Sequence, residues 1–501
     1  MRRSSSTRAR VAVVLLVIAA ATAACTSTDG DSAAPTTSDA PRATASAEWP
    51  TAGRDLANTR ADTDFPLDAT SAKGLRTAWT AKLDGAGSLT TTPIVRGGTV
   101  YVGSGSGQVF AVDLDSGRPV WTSASTGPNI GPFGVAVDDD RVYTLHGSKG
   151  VAALDRATGR QVWATDVAAT ATTGVDIQPI VVDGLVIVAT VPISLQGIYT
   201  PGDRGVVYAL DAATGQVRWS FDTVDGDLWG HRDVNSGGGA WYPPAVDAAA
   251  GVVYVGVANP APFPGTKEFP NGSSRPGPNL YTDSIVALDL HTGALRWFHQ
   301  VVPHDIYDRD QVHALIADDT VVSAGKSGVV VGLRPDGTPK WRTEVGLHRN
   351  DDLAALTGPT EIAPGTYGGI LTPPSAADGV VYAAVVNAPT ELGPDEPSYF
   401  GAELGQHPGD VVAVDASTGR IRWSTKVPGD PLGGTVVAGD LVLTALTDGT
   451  IVALDRRSGE IVHTMPAGGG VNGWMSLAGD KIVVPVGQAD TPTLLALTTS
   501  R

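Results

Sequence analysis

Few of the 501 residues carry side chains able to do chemistry, and their spacing removes several chemistries at once. Cys25 is the single cysteine, which excludes an internal disulfide, a CxxC redox pair, a thiolate zinc cluster and a CxxCH haem attachment. The nine histidines show no HExxH or other zinc spacing, and no GxSxG nucleophile elbow occurs. The run Gly103 to Gly107 lies between two strand patterns and not ahead of a helix, so it reads as a hairpin turn and not as a phosphate cradle. Asn271-Gly272-Ser273 has the form of a glycosylation acceptor, but a turn is the better reading.

Four other side chains have functional groups suited to a binding site, each with a plain structural alternative. Trp241, which follows three glycines, offers a wide flat face for stacking, or fills space between sheets. Asn259, before a proline, offers an amide oxygen to a hard cation, or forms a turn. Asp308 can take a proton, or is a solvated loop carboxylate natural in an acidic chain. Lys326 can stabilise developing negative charge, or is an exposed hairpin lysine.

The elements that must position these residues follow from composition and repetition. With 61 Gly and 35 Pro, turns are many and strands short, which makes an all-helical fold a poor fit. A formal charge of −17 makes nucleic acid an improbable partner. The opening MRRSSSTRAR and the apolar run from Val11 to Ala24 read as a secretory signal, too short to span a bilayer. Thr22-Ala23-Ala24-Cys25 resembles a bacterial lipobox, so residues 1–24 are expected to be cleaved and Cys25 acylated. Residues 25–48, rich in Ser, Thr, Ala, Asp and Pro, are expected to be a flexible tether, with residues 49–501 the folded domain. An exported lipoprotein of the bacterial cell envelope follows, held to the membrane by lipid alone.

One pattern recurs along the folded part: Asp, three residues, Gly, three residues, aromatic. It occurs as Asp113/Gly117/Trp121, Asp155/Gly159/Trp163, Asp211/Gly215/Trp219, Asp289/Gly293/Trp297, Asp415/Gly419/Trp423 and Asp455/Gly459/His463, with a degenerate copy ending at Trp341. Each copy is a hairpin: alternating β-branched residues form a strand, Asp can bond backbone amides, and Gly accepts a positive φ. With Trp79 the closing aromatic positions number eight. The basic unit, near 40 residues with insertions, is that of a β-propeller blade. The strand pattern from Lys481 to Val486 is expected to complete the blade begun at the N-terminus. The intervals 219–297 and 341–423 must then carry insertions, where function collects.

From Trp49 to about Gly487 the sequence resembles the eight-bladed quinoprotein alcohol dehydrogenases, which use pyrroloquinoline quinone (PQQ). The stretches WPTAGRDLANTR, GGGAWYPP, GVANPAP, RPGPNLYTDSIVALDLHTGALRW, PHDIYDRD, AGKSGVVVGL and VGLHRNDDL carry the resemblance. It implies that Trp241 is the aromatic floor of the cofactor, Asn259 a calcium ligand, and Asp308 both metal ligand and catalytic base. Lys326 would be directed at the quinone oxygens. By this reading PQQ and Ca2+ are the cofactors. Asp308 takes the hydroxyl proton of a small or polymeric alcohol as hydride passes to the quinone C5, and electrons leave to a separate acceptor.

The sequence departs from that pattern at cofactor contacts. The place of a second metal-binding glutamate, four residues before Arg204-Gly205, holds Thr200, so Asp203 or another oxygen would have to substitute. The place of an arginine that meets the cofactor carboxylates holds Phe133. The alternative expectation is a cofactor-free propeller serving as a binding or assembly scaffold.

Overall fold

The computed structural model describes residues 46–397 and 404–499; the apolar signal-like run, Cys25 and the first part of the tether lie outside the described residues. The described chain forms eight radially arranged antiparallel sheets. Numbered in chain order, their first strands are Ile94–Arg96, Ala136–Val137, Ile180–Val182, Ala245–Asp247, His313–Ala317, Ser375–Ala377, Val436–Ala438 and Ser476–Ala478. These short strands touch one another from sheet to sheet and line the central channel. Blade 8 joins both parts of the chain: Arg76–Lys82 is its outermost strand and pairs with Thr493–Thr498, which pairs with Lys481–Val486. The ring is thus closed by hydrogen bonds between sequence-distant strands, and the sheet edges that remain are short.

Burial explains the residue pattern of each blade. A middle strand such as Val252–Val257 is covered on both faces and is buried at every position, so it reads as a continuous apolar run. An outer strand such as Pro339–Glu344 meets solvent and has no fully buried position; from Trp341 to Glu344 half-buried and exposed residues alternate.

The repeated Asp and Gly act together with the tryptophan of the preceding blade. Asp289 Oδ1 accepts from the backbone and hydroxyl of Thr292 at 2.9 and 2.8 Å, which closes the turn. Gly293, at φ 71°, then lies flat under Trp219, whose indole N–H donates to Leu290 O at 2.9 Å. A Cβ on Gly293 would fall 2.6 Å from the indole ring. Equivalent contacts join Trp79 to Gly117, Trp121 to Gly159, Trp163 to Gly215, Trp297 to Gly337, Trp341 to Gly419 and Trp423 to Gly459. The degenerate copy is therefore a full participant: Gly337 seats Trp297, and Trp341 seats on the next blade. The exception is His463, whose strand faces the short turn Ser71–Gly74 where blade 8 changes from one end of the chain to the other.

Because strand direction alternates within a blade, the connections between second and third strands and those between blades emerge on one face of the ring. Trp241, Asn259, Asp308 and Lys326 all sit in such connections. The opposite face is crossed by residues 46–62, whose carbonyls accept from Val246, Ile316, Ala376, Val437 and Gly479.

Candidate active site

Trp241 is placed by the three glycines that precede it. Gly238 N donates to Asn259 O at 2.9 Å and Ala258 N donates to Gly239 O at 2.7 Å, so the glycine segment runs against the Asn259 turn. A Cβ on Gly237 would approach Asn259 O to 2.6 Å, and one on Gly239 would approach Val191 to 2.9 Å. Only residues without side chains there let the segment leading into Trp241 run against the Asn259 turn. Trp241 is half-buried, its ring tilted against Tyr242, and its buried indole N–H has no partner.

Asn259 is fully buried. Its backbone N–H donates to Asp310 Oδ1 at 2.8 Å, and its amide oxygen accepts from the Tyr199 hydroxyl at 2.9 Å. Asp308 and Asp310, both at positive φ, lie at the end of a turn organised by Asp305, whose oxygens accept from Tyr307 N and Arg309 N, each at 2.7 Å. Lys326 comes from the next blade's hairpin, where its N–H donates to Asp310 O. Its ammonium lies 2.9 Å from Asp308 Oδ2, 2.6 Å from Asp310 Oδ2 and 5.1 Å from the Trp241 ring centroid. Trp241, Asp308 and Lys326 thus form one cluster, which Asn259 joins through its backbone bond to Asp310. Lys326 and Asp308 are buried there, and neither is the solvated surface group that composition alone allows.

The electrostatics of the cluster follow from burial. Loss of water pushes the Asp308 carboxyl well above the usual aspartate range; the Lys326 ammonium opposes this and Asp310 adds to it. Burial alone would lower Lys326, but Asp308 and Asp310 hold it above the ordinary lysine value. Asp283, also fully buried, is raised by desolvation and then by Asp305, Asp310 and Asp308. Arg275 lies behind this group, donating to Asp305 O at 2.7 Å and to Pro262 O at 3.0 Å. Burial brings its guanidinium down to about 10.

Both oxygens of Asp283 and Oδ1 of Asp308 are buried here without a hydrogen-bond donor, and Asp310 Oδ2 has only its ion pair with Lys326. Unpaired buried anionic oxygens are costly, and hard oxygen donors are what a calcium-like cation accepts, so this donor set fits a cation. Among the described residues no group of three His, Cys, Asp or Glu side chains forms a ready cage. A cation would therefore need further oxygens from Asn259 and from a bound ligand. The half-buried indole with a lysine over its ring suits a planar, electron-accepting ligand.

Both departures noted in the sequence take physical form. Thr200 is half-buried, and the residue beside it, Tyr199, reaches Asn259. Asp203 does not substitute for the missing glutamate, because its carboxylate accepts from the hydroxyls of Thr170 and Thr172. The carboxylate next to Asn259 is Asp310, which sequence reasoning passed over although it stands two residues after Asp308 in PHDIYDRD. Phe133 is buried in the blade 2 and 3 core and brings no charge. Asn271 is a turn residue whose side chain exchanges two hydrogen bonds with the Leu356 backbone, at 3.1 and 2.8 Å.

Comparison with known proteins agrees with this architecture. The family described as "Glucose/ethanol/alcohol dehydrogenase, beta-propeller domain" matches residues 168–334, which hold all four clustered residues. The family "Outer membrane protein assembly factor BamB" matches residues 15–132 and 395–499. The quinohemoprotein alcohol dehydrogenase of Comamonas testosteroni is 28% identical over 512 residues, covering 85% of this chain and 70% of that protein. Its crystal structure superposes with a TM-score of 0.77 at 24% identity, over 93% of this chain and 82% of that one. A europium-containing methanol dehydrogenase superposes with a TM-score of 0.73 at 19% identity, over 90% of this chain and 98% of that one. The fold, the clustered site and these likenesses together support a PQQ quinoprotein alcohol dehydrogenase-like family of eight-bladed β-propellers for this chain.

Proposed function

We propose that this protein is a PQQ-dependent oxidoreductase that oxidises an alcohol or related hydroxyl compound. The observation that carries the reading is Asp308: a buried carboxylate with one oxygen held by Lys326, whose ammonium also lies over the Trp241 ring, and the other oxygen without a partner. Trp241 would bind the flat cofactor by stacking, and Lys326 would face its oxygens. Asn259, Asp308 and Asp310 would hold the metal ion, for which we take Ca2+ as the first candidate and a trivalent lanthanide as the second. When bound, the quinone supplies a two-electron acceptor for the hydride of the alcohol carbon.

The protein's own part is proton transfer and orientation. Asp308 Oδ1 accepts the hydroxyl proton, and its raised affinity for protons makes it a stronger base than a surface aspartate. Lys326 favours the ionised form of Asp308 and fixes Oδ2, so that the free oxygen is the one presented. Electrons leave to a separate acceptor, since the chain has no haem attachment motif.

The second reading is a cofactor-free scaffold. Phe133 in place of a cation and the Tyr199 hydroxyl already on the Asn259 amide favour it, as does the BamB-type match at both ends of the chain. One titration separates the two. Apoprotein mixed with PQQ and Ca2+, or with La3+, is expected to oxidise alcohols with an artificial dye, and Asp308→Asn to abolish this. No quinone binding with either metal would leave the scaffold.

For the cell, we propose an exported lipoprotein of the bacterial envelope, cleaved before Cys25 and acylated there. Metabolic labelling with a fatty acid should mark the wild-type chain, and Cys25→Ala should lose the label and the membrane association.

A further inference from the structure

The Lys326 ammonium lies over two aromatic rings. Trp241 is one; the other is Tyr367, whose ring centroid is 5.9 Å from Nζ. Tyr367 comes from the connection between blades 5 and 6, on the face that carries Trp241. It stands in a tight turn in which Gly368 N donates to Gly365 O at 2.8 Å. That turn is packed on the hairpin of Lys326: Ile370 N donates to Gly325 O at 3.0 Å, and a Cβ on Gly369, at φ 71°, would strike Lys326 O. Backbone contacts therefore fix the tyrosine beside the same ammonium that holds Asp308 Oδ2 at 2.9 Å.

The tyrosines around this site differ in what their hydroxyls do. Tyr199 donates to Asn259 Oδ1 at 2.9 Å, Tyr307 to Leu353 O at 2.6 Å and Tyr242 to Leu371 O. Tyr367 is half-buried, and its hydroxyl bonds none of the described residues. A ring held by packing with an unengaged phenol at its tip is an ordered donor and acceptor, and the partner it fits is a neutral oxygen. Loss of water raises that phenol above the ordinary tyrosine value, against the Lys326 ammonium, so it keeps its proton. We propose that Tyr367 is a specificity-determining residue for the hydroxyl compound presented to Asp308: its phenol hydrogen-bonds a second, non-reacting oxygen, which makes diols, polyols and hydroxy ethers better substrates than plain alkanols. This rests on the dehydrogenase reading given above and names its substrate class. The discrimination comes from the bond itself, because an alkanol leaves the phenol to water and forfeits the contact.

The test compares both turnover and binding. Full-length protein loaded with PQQ and Ca2+, or with La3+, is assayed with an artificial dye on n-propanol, propylene glycol, methoxyethanol and glycerol. Wild type should favour the best of the last three over n-propanol by about tenfold in kcat/KM, with the difference carried by KM. Tyr367→Phe keeps the ring beside Lys326 and removes only the hydroxyl, so this ratio should fall to about one. Equilibrium binding of the preferred compound to Asp308→Asn, read by tryptophan emission, should weaken by about tenfold when Tyr367→Phe is added, a loss that a ring serving only to pack does not produce. If wild type oxidises n-propanol as readily as the other three, or if Tyr367→Phe keeps the wild-type ratio, Tyr367 is no specificity residue, while the dehydrogenase reading stands. If the wild type binds no PQQ and oxidises none of the four, that reading fails and this inference falls with it.

Discussion

Lys326 donates to Asp308 Oδ2 at 2.9 Å, and both side chains are buried. The pair joins two blades, because Asp308 sits at the end of the connection out of blade 4 and Lys326 in a hairpin of blade 5. The same ammonium meets Asp310 at 2.6 Å, so one cation holds two buried carboxylates, and at Asp308 it opposes the protonation that burial favours. In Lys326→Met the opposing charge is gone and the Asp308 carboxyl must climb further. Activity depends on its ionised form and is lost as pH falls through its titration. The acid limb of the pH profile should therefore move to higher pH, with kcat down by about 10²-fold or more. Lys326→Arg should restore part of both, which a purely structural lysine would not require.

Asp310 is the carboxylate beside Asn259, and its Oδ1 already orients that residue through the backbone N–H. Asp310→Ala removes an oxygen donor and frees the turn, so metal affinity should fall by roughly 10- to 100-fold. Titration with Tb3+, read by sensitised luminescence, checks this. Asp203→Ala is the control and should leave metal affinity unchanged, because Thr170 and Thr172 occupy its carboxylate.

The ring was legible because its rule is local: one Asp, one Gly and one aromatic at fixed spacing specify a hairpin and the seat for a neighbouring indole. The site was legible only in part. Trp241, Asn259, Asp308 and Lys326 stand in distinctive stretches. Asp283 and Tyr199 are ordinary residues in sequence, and two different connections bring them to the site. What marks them is burial without partners, or a contact across 60 positions such as Tyr199 to Asn259, and neither has a signature in the chain's order.

The glycine seats make a stability prediction with an internal control. Gly419 and Gly184 both have positive φ, at 73° and 74°. A Cβ on Gly419 would lie 2.7 Å from the Trp341 ring, whereas one on Gly184 meets nothing within 4 Å. Gly184→Ala should cost about 1 kcal/mol through backbone strain alone. Gly419→Ala adds displacement of the indole, whose N–H bonds Ala416 O at 2.9 Å, for a total of about 2–4 kcal/mol. Urea unfolding of both variants measures the difference.

Asp283 makes the apoprotein sensitive to pH. Its folded carboxyl is raised by burial and by Asp305, Asp310 and Asp308, above an unfolded value of about 3.9. The native state therefore holds its proton more tightly, and this contribution is present below the unfolded pKa and lost as pH rises through the folded one. Asp283→Asn removes the charge that forms, so the apoprotein's unfolding midpoint should rise at pH 8 and change little at pH 5. Bound Ca2+ should shrink that gain, since a cation already offsets the charge. An equal gain at both pH values would show that the effect is packing.

Arg60 pins the seam where the ring closes. Its guanidinium donates to Thr435 O at 3.0 Å, Met475 O at 3.0 Å, Thr92 Oγ1 at 2.9 Å and Ala52 O at 2.9 Å. Those partners lie at the inner strands of blades 7, 8 and 1 and in the crossing segment itself. Burial lowers its pKa to about 9, and it is 2% exposed, so water cannot replace these bonds. Arg60→Met fits the aliphatic stem but strands four acceptors, at an expected cost of about 3–5 kcal/mol. Hydrogen exchange should locate the damage in residues 46–62 and in the pairing of Arg76–Lys82 with Thr493–Thr498, while PQQ affinity changes little because Trp241 and Lys326 lie on the other face. Uniform loss of protection around all eight blades would instead mean that Arg60 supports the ring as a whole and has no special place at its seam.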